Sequence, residues 1–306
     1  MDAIQIQGVS KSFGTTRALD EITLSVPEGE LFGLIGPDGA GKTTLIRILT
    51  SLLYPATGSV HVLGLDPVAA FRQLRKKLGY MPGRFSLYQD LTVEENIRLF
   101  ASIFETTLEK NYVLIRDIYQ QIEPFKNRKA GALSGGMKQK LALSCAMIHK
   151  PDILFLDEPT TGVDPVSRKE FWDMLHALNR DGLTIFVSTP YMDEADRCHR
   201  VGLIQEGRLL AVDTPAAISH GFDHQLFAIQ SSDKFGLIRY LRAIPSHRSV
   251  FSFGSEIHYT DKNPNLTASQ MEELLSAWKA NHPTTTRKIN PGIEDSFMSL
   301  MLDERN

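Results

Sequence analysis

Residues 36 to 44 read Gly-Pro-Asp-Gly-Ala-Gly-Lys-Thr-Thr. Three glycines, one ammonium and two hydroxyls lie there at the spacing that wraps a polyphosphate. Gly36, Gly39 and Gly41 permit backbone angles closed to other residues, so successive N–H groups can turn inward on phosphate oxygens. Pro37, Asp38 and Ala40 complete the loop, and a helix starting near Lys42 adds the positive end of its dipole. Lys42 is expected to reach the β- and γ-phosphates of a nucleoside triphosphate, and the Thr43 hydroxyl, followed by Thr44, to ligate magnesium. The loop follows the apolar run Leu31–Ile35 and precedes a helical pattern at Leu45, Ile46 and Leu49. That strand–loop–helix setting is the one a phosphate loop requires.

A second chemical element is Ile153-Leu-Phe-Leu-Asp-Glu158. Four apolar residues predict a buried strand, and two carboxylates emerge at its C-terminal end, where α/β sheets place ligands. Asp157 suits the acid that holds magnesium through water; Glu158 suits the residue that orients and polarises an attacking water. A third element, Leu133-Ser-Gly-Gly-Met137, opens a helix. Its glycines expose free N–H groups and Ser134 adds a hydroxyl, giving a second anion-binding surface. Either one chain grips phosphate twice, or two chains each lend one grip.

Short strands are expected at 4–9, 18–26, 31–35 and 59–63, a helix over 68–78 and a strand at 79–81. From 85 to 150 the pattern turns helical, with a capping box at Thr92–Glu95. Strand signals return at 153–156 and 184–188, separated by a helix with Asp164 as N-cap and Pro165 as its first residue. Beyond Gly221 the order reads β-α-β-β-α-β plus a last helix, which is ferredoxin-like. The fold class expected is therefore α/β, with a small α+β domain after it.

The 306 residues carry a formal charge of −3, which leaves no electrostatic footprint for nucleic acid. Hydrophobic content of 42% is ordinary for a globular protein. Cys145 and Cys198 make no disulfide framework and suit a reducing compartment. No apolar run approaches a membrane span, and no signal peptide is evident, so a membrane role would come through a partner.

The order of these motifs resembles the ATP-binding subunits of ABC transporters, over residues 1–220. Gly162-Val-Asp164 then matches the D-loop, and Phe13 the aromatic that stacks on adenine. The resemblance implies a RecA-like P-loop ATPase core with antiparallel β and helical subdomains, the helical insert lying at 85–150, followed by a C-terminal accessory domain at 221–306. It implies ATP and Mg2+ as cofactors and an integral-membrane permease as partner. It also implies a second ATP-binding domain, in a homodimer or heterodimer, with Ser134, Gly135 and Gly136 acting in trans. The chain would sit peripherally on the cytoplasmic face of the inner or plasma membrane. Residues 188–195 and 207–211 resemble the drug- and polymer-exporting branch.

Two positions depart from the family pattern. Gly83 stands where a glutamine contacts magnesium and water, and Pro190 where a histidine contacts the γ-phosphate. Proline has neither a side-chain donor nor an N–H. Two readings follow. Either the chain's own site binds ATP and cleaves it slowly beside a more competent partner, or Thr189, Tyr191 or a backbone N–H substitutes in an active homodimer. Gln89 is too far along the chain to be an obvious replacement for the glutamine. A regulatory subunit with little turnover is a further alternative. Another is a non-transport ABC ATPase, which would be expected to carry a second ATPase domain, a coiled-coil insertion or basic extensions.

Overall fold

Leu31–Ile35, Ile153–Asp157 and Thr184–Thr189 are buried along their whole length. Near-continuous Leu, Ile, Val and Phe runs behave so when helices cover both faces of a parallel sheet. The computed structural model describes residues 1–303 and divides the chain at Pro215 into two units.

In chain order the first unit holds β1 (Asp2–Phe13), β2 (Thr16–Pro27), β3 (Leu31–Ile35), α1 (Lys42–Leu49), β4 (Thr57–Val62), α2 (Phe71–Arg75) and β5 (Leu78–Met81). The helical insert follows as α3 (Val93–Ile103), α4 (Leu108–Tyr119) and α5 (Gly135–Met147). Then come β6 (Ile153–Asp157), α6 (Pro165–Arg180), β7 (Thr184–Thr189), β8 (Arg200–Gln205) and β9 (Arg208–Asp213). A six-stranded sheet has the order β5-β6-β7-β3-β8-β9, parallel except for the antiparallel β9 at its edge. Because β5, β6, β7 and β3 run the same way, Met81, Asp157, Thr189 and Ile35 all end at one edge. That edge is where an open α/β sheet offers its ligand crevice. A separate antiparallel sheet, β2-β1-β4, packs its buried alternate residues (Ile4, Ile6, Leu24, Val60) with Ile46 and Leu49 of α1.

The caps fix where helices begin. Thr92 and Glu95 form both bonds of the capping box at α3, and Asp164 accepts the Ser167 amide with Pro165 in the first turn of α6. Asn96 on α3 is fully buried, and its amide group bonds to the backbone of Tyr88 and to the Leu91 and Thr92 carbonyls. This ties the loop after β5 to the insert.

Two expectations differ from what forms. The helix expected over 68–78 shortens to α2, because the Asp66 carboxylate accepts the Val68 and Ala69 amides and holds 66–70 as a turn. The strands β8 and β9 lie outside the strands expected: Leu209–Val212 carry no alternation, and the Glu206-Gly207 turn alone returns the chain onto β8.

A short helix, α7 (Pro215–His220), begins at the division. The second unit then runs β10 (Leu226–Ser231), α8 (Lys234–Ala243), β11 (His247–Phe253), β12 (Glu256–Asp261), α9 (Ala268–Lys279), β13 (Thr284–Ile289) and α10 (Ile293–Asp303). Its antiparallel sheet has the order β11-β12-β10-β13, the ferredoxin-like arrangement expected. Phe227, Ile229, Ile257 and Tyr259 form one core with Leu237 and Leu241 of α8 and Met271 and Leu275 of α9.

Candidate nucleotide site

The loop between β3 and α1 is pinned at both ends. The Gly36 amide donates to the Thr189 carbonyl at 3.3 Å. Gly41 has φ +107°, and a Cβ there would fall 2.5 Å from the Ala18 carbonyl of β2, so only glycine fits. Gly41 caps α1 without a side chain, which leaves the first-turn amides unblocked. Lys42 is 3% exposed. Its ammonium donates to the Gly36 and Pro37 carbonyls at 2.8 and 2.9 Å and lies 3.2 Å from Glu158 Oε1. The ammonium is thus held by two hydrogen bonds and one ion pair.

Asp157 ends β6 and is 3% exposed. Its Oδ1 accepts from the Thr43 hydroxyl at 3.1 Å and from the Ser188 hydroxyl at 2.7 Å. Burial first, and then the Asp157 charge, push the neighbouring Tyr80 phenol above its ordinary range. Glu158 follows with φ +50°, a left-handed conformation that strains a residue carrying a side chain. Its amide is held by the Ser188 carbonyl at 3.0 Å and the Ser188 hydroxyl at 3.2 Å. Lys42, Thr43, Asp157 and Glu158 therefore lie in one cluster at the sheet edge.

Ser134 is the N-cap of α5 and accepts the Met137 amide at 3.4 Å. Ser134 and Gly135 are exposed, and a Cβ on Gly136 would come within 2.6 Å of Ser167 Oγ on α6. Among the described residues, no hydrogen bond or ion pair joins this surface to the Lys42 cluster. Phe13 stands at the tip of the β1–β2 hairpin, 51% exposed, with the Lys11 ammonium 5.6 Å from its ring centre. It is not a core residue.

The variant positions have definite surroundings. A Cβ on Gly83 would meet the Asp157 carbonyl at 2.9 Å, so the loop after β5 lies close on β6. Gln89 accepts the Gly131 amide at 2.9 Å through its main-chain carbonyl, which holds its backbone beside the segment leading into Ser134. The Thr189 hydroxyl is fully buried, donates to Glu194 Oε2 at 2.5 Å and accepts the Tyr191 amide at 3.1 Å.

A family model described as ABC transporter matches residues 19–161. The Nod factor export ATP-binding protein I of a Rhizobium species is 40% identical over 303 residues, covering 97% of this chain and 96% of that protein. The chain belongs to the ATP-binding subunits of ABC transporters. The probable multidrug ABC transporter ATP-binding protein YbhF of Escherichia coli is 44% identical over 304 residues, covering 97% of this chain. The chain spans only 52% of the length of that relative. Among solved structures, an ATP-binding subunit of an ABC transporter aligns with TM-score 0.66 and 27% identity, over 72% of this chain and 93% of that one. A dimeric cassette in a post-hydrolysis state bound to ADP and Pi aligns with TM-score 0.63 and 26% identity, over 69% of this chain and 98% of that one. The core is thus the RecA-like P-loop fold of this family, whose members are ATPases.

Ser188 was missed by sequence reasoning. Its signal was a polar residue closing the apolar run Ile185–Val187. In this ABC subunit it serves both acids at once, donating to Asp157 and accepting from the Glu158 amide. Ser188→Ala removes one partner from each group while Asp157 keeps the Thr43 hydroxyl and the Glu158 amide keeps the Ser188 carbonyl, a loss of about 0.5–1.5 kcal/mol for each bond removed. ATP turnover is expected to fall roughly tenfold, with nucleotide affinity within about threefold, because the loss falls on the acids rather than the phosphate loop. Steady-state ATPase assays beside calorimetry check this; unchanged turnover would contradict it.

Proposed function

We propose that this chain is the ATP-driven motor of an ABC exporter and that its own nucleotide site turns over slowly. The observation carrying the motor reading is the convergence of Lys42, Thr43, Asp157 and Glu158 at the C-terminal edge of the sheet. Residues 36–44 would wrap the phosphates, and Phe13, half exposed at its hairpin tip, would stack on adenine. As a polyphosphate draws the Lys42 ammonium, Glu158 loses its ion-pair partner and becomes available to polarise water. Thr43 and Asp157 would hold Mg2+; an oxygen-only donor set of one hydroxyl and one carboxylate suits a hard cation that keeps waters and phosphate oxygens. When bound, that ion neutralises charge developing on the phosphates.

Ser134, Gly135 and Gly136 would complete the site of a second ATP-binding domain, consistent with the exposure of Ser134 and Gly135 and with no hydrogen bond or ion pair joining them to the Lys42 cluster among the described residues. Export rests on the relatives, one named for probable multidrug transport and one for Nod factor export. No helix among the described residues is long and apolar enough to cross a membrane. An integral-membrane permease would be the partner. The subunit would bind it peripherally at the cytoplasmic face. Affinity isolation from detergent-solubilised membranes is expected to bring down a polytopic membrane protein with a second ATP-binding domain. Recovery of the chain free of any membrane protein would count against the exporter reading.

Slow turnover is supported by three features. Pro190 has no donor to offer. Thr189 has already committed its hydroxyl to Glu194, and Gly83 has no side chain to bring to magnesium or water. A transition-state donor is worth roughly 10²–10³ in rate. The partner domain would then carry the faster site, in a heterodimer. Pro190→His is expected to raise single-turnover ATP cleavage at least about tenfold while affinity changes by less. A wild-type chain already cleaving as fast as the histidine variant would remove the slow-site reading.

A further inference from the structure

Glu194 lies outside the reacting cluster, yet it is only 2% exposed. A carboxylate stripped of water is costly unless its oxygens find donors. Here the donors come from separate elements. Thr160, in the loop after β6, donates to Oε1 at 2.8 Å. Thr189, the last residue of β7, donates to Oε2 at 2.5 Å. Arg168 of α6 brings its Nε within 3.7 Å of Oε1, and that Nε is buried with no hydrogen-bond acceptor of its own.

These contacts close a ring around Glu158. Its amide bonds to Ser188, Ser188 is joined to Thr189, Thr189 bonds to Glu194, Glu194 bonds to Thr160, and Thr160 is two residues beyond Glu158. A strained left-handed residue needs surroundings that over-determine it, and a closed ring supplies them. The Arg168 guanidinium lies 4.0 Å from the Tyr191 ring centre, one residue past Pro190, and its other acidic neighbour is Asp193 at 3.8 Å. The adjacent Ser167 packs directly on Gly136.

We infer that Glu194 is a positioning residue of the ATPase site, fixing the loop of Glu158 against the end of β7. The inference rests on the ATPase reading of the Lys42 cluster. Glu194 touches no reacting atom; it acts through where it puts Glu158. Displacement of a reacting group by about an ångström costs on the order of 10²-fold in rate, while leaving phosphate-loop binding intact.

The test compares Thr160→Val, which keeps shape and loses the hydroxyl, with Thr160→Ser, which keeps the hydroxyl. In single-turnover ATP cleavage by the full chain, Thr160→Val is expected to slow at least about tenfold and Thr160→Ser to stay within about twofold of wild type. Calorimetric affinity for a non-cleavable ATP analogue should stay within about threefold in both. Glu194→Ala should slow cleavage at least as much as Thr160→Val; if it fails to fold, the threonine pair decides alone. Thr160→Val cleaving at the wild-type rate would overturn the inference. So would a loss of affinity in proportion to the loss of cleavage, or a serine variant as slow as the valine one. A wild-type chain that bound no nucleotide would instead overturn the ATPase reading beneath it.

Discussion

A single carboxylate oxygen gathers the site. Asp157 Oδ1 takes the Thr43 hydroxyl from the first turn of α1 and the Ser188 hydroxyl from β7 while sitting at the end of β6. Two strands, and a helix more than a hundred residues before them in sequence, are thereby held in one register. The apolar strands alone could not achieve this. Hydrophobic burial is non-directional and sets only that β3, β6 and β7 lie inside. Hydrogen bonds to a buried charge are directional, and leaving one unmade is expensive.

The same edge stores strain and offsets it locally. Glu158 adopts a left-handed conformation, and its amide is held by both oxygens of Ser188. Lys42 sits inside an acceptor cage of two carbonyls and Glu158, almost without water. Such an arrangement is prepared for anionic oxygens: the ammonium is already desolvated, and only one of its three partners carries charge. Cys145 and Cys198 take no part, since burial raises both thiols well above their ordinary range.

Much of this was legible in the sequence where local rules force the outcome. The glycines of 36–41 announce close backbone approach, and Gly41 does meet β2 at a distance no side chain would allow. Thr92 and Asp164 mark helix starts because a side-chain oxygen must satisfy an orphan amide, and both do so. The ferredoxin-like order followed from the succession of strand and helix patterns beyond Gly221. What could not be read were pairings made by packing. Ser188 and Glu194 face residues some thirty positions away, and nothing in their own neighbourhood specifies those partners. Thr189 looked free to donate to a phosphate; only its burial reveals that the hydroxyl is spent. The strand β9 lacked a period of its own and forms because β8 offers it an edge.

The most direct measurement is isothermal calorimetry with magnesium and a non-cleavable ATP analogue, on the wild-type chain and on Lys42→Ala. Removing the ammonium strips the phosphate loop of its only full positive charge, and charge-assisted bonds are roughly twice as strong as neutral ones. Wild type is expected to bind, and the variant to lose at least about tenfold in affinity, with the loss growing as magnesium is withdrawn. No association by wild type, or identical isotherms for both proteins, would contradict the assignment of this edge as the site where a polyphosphate is held.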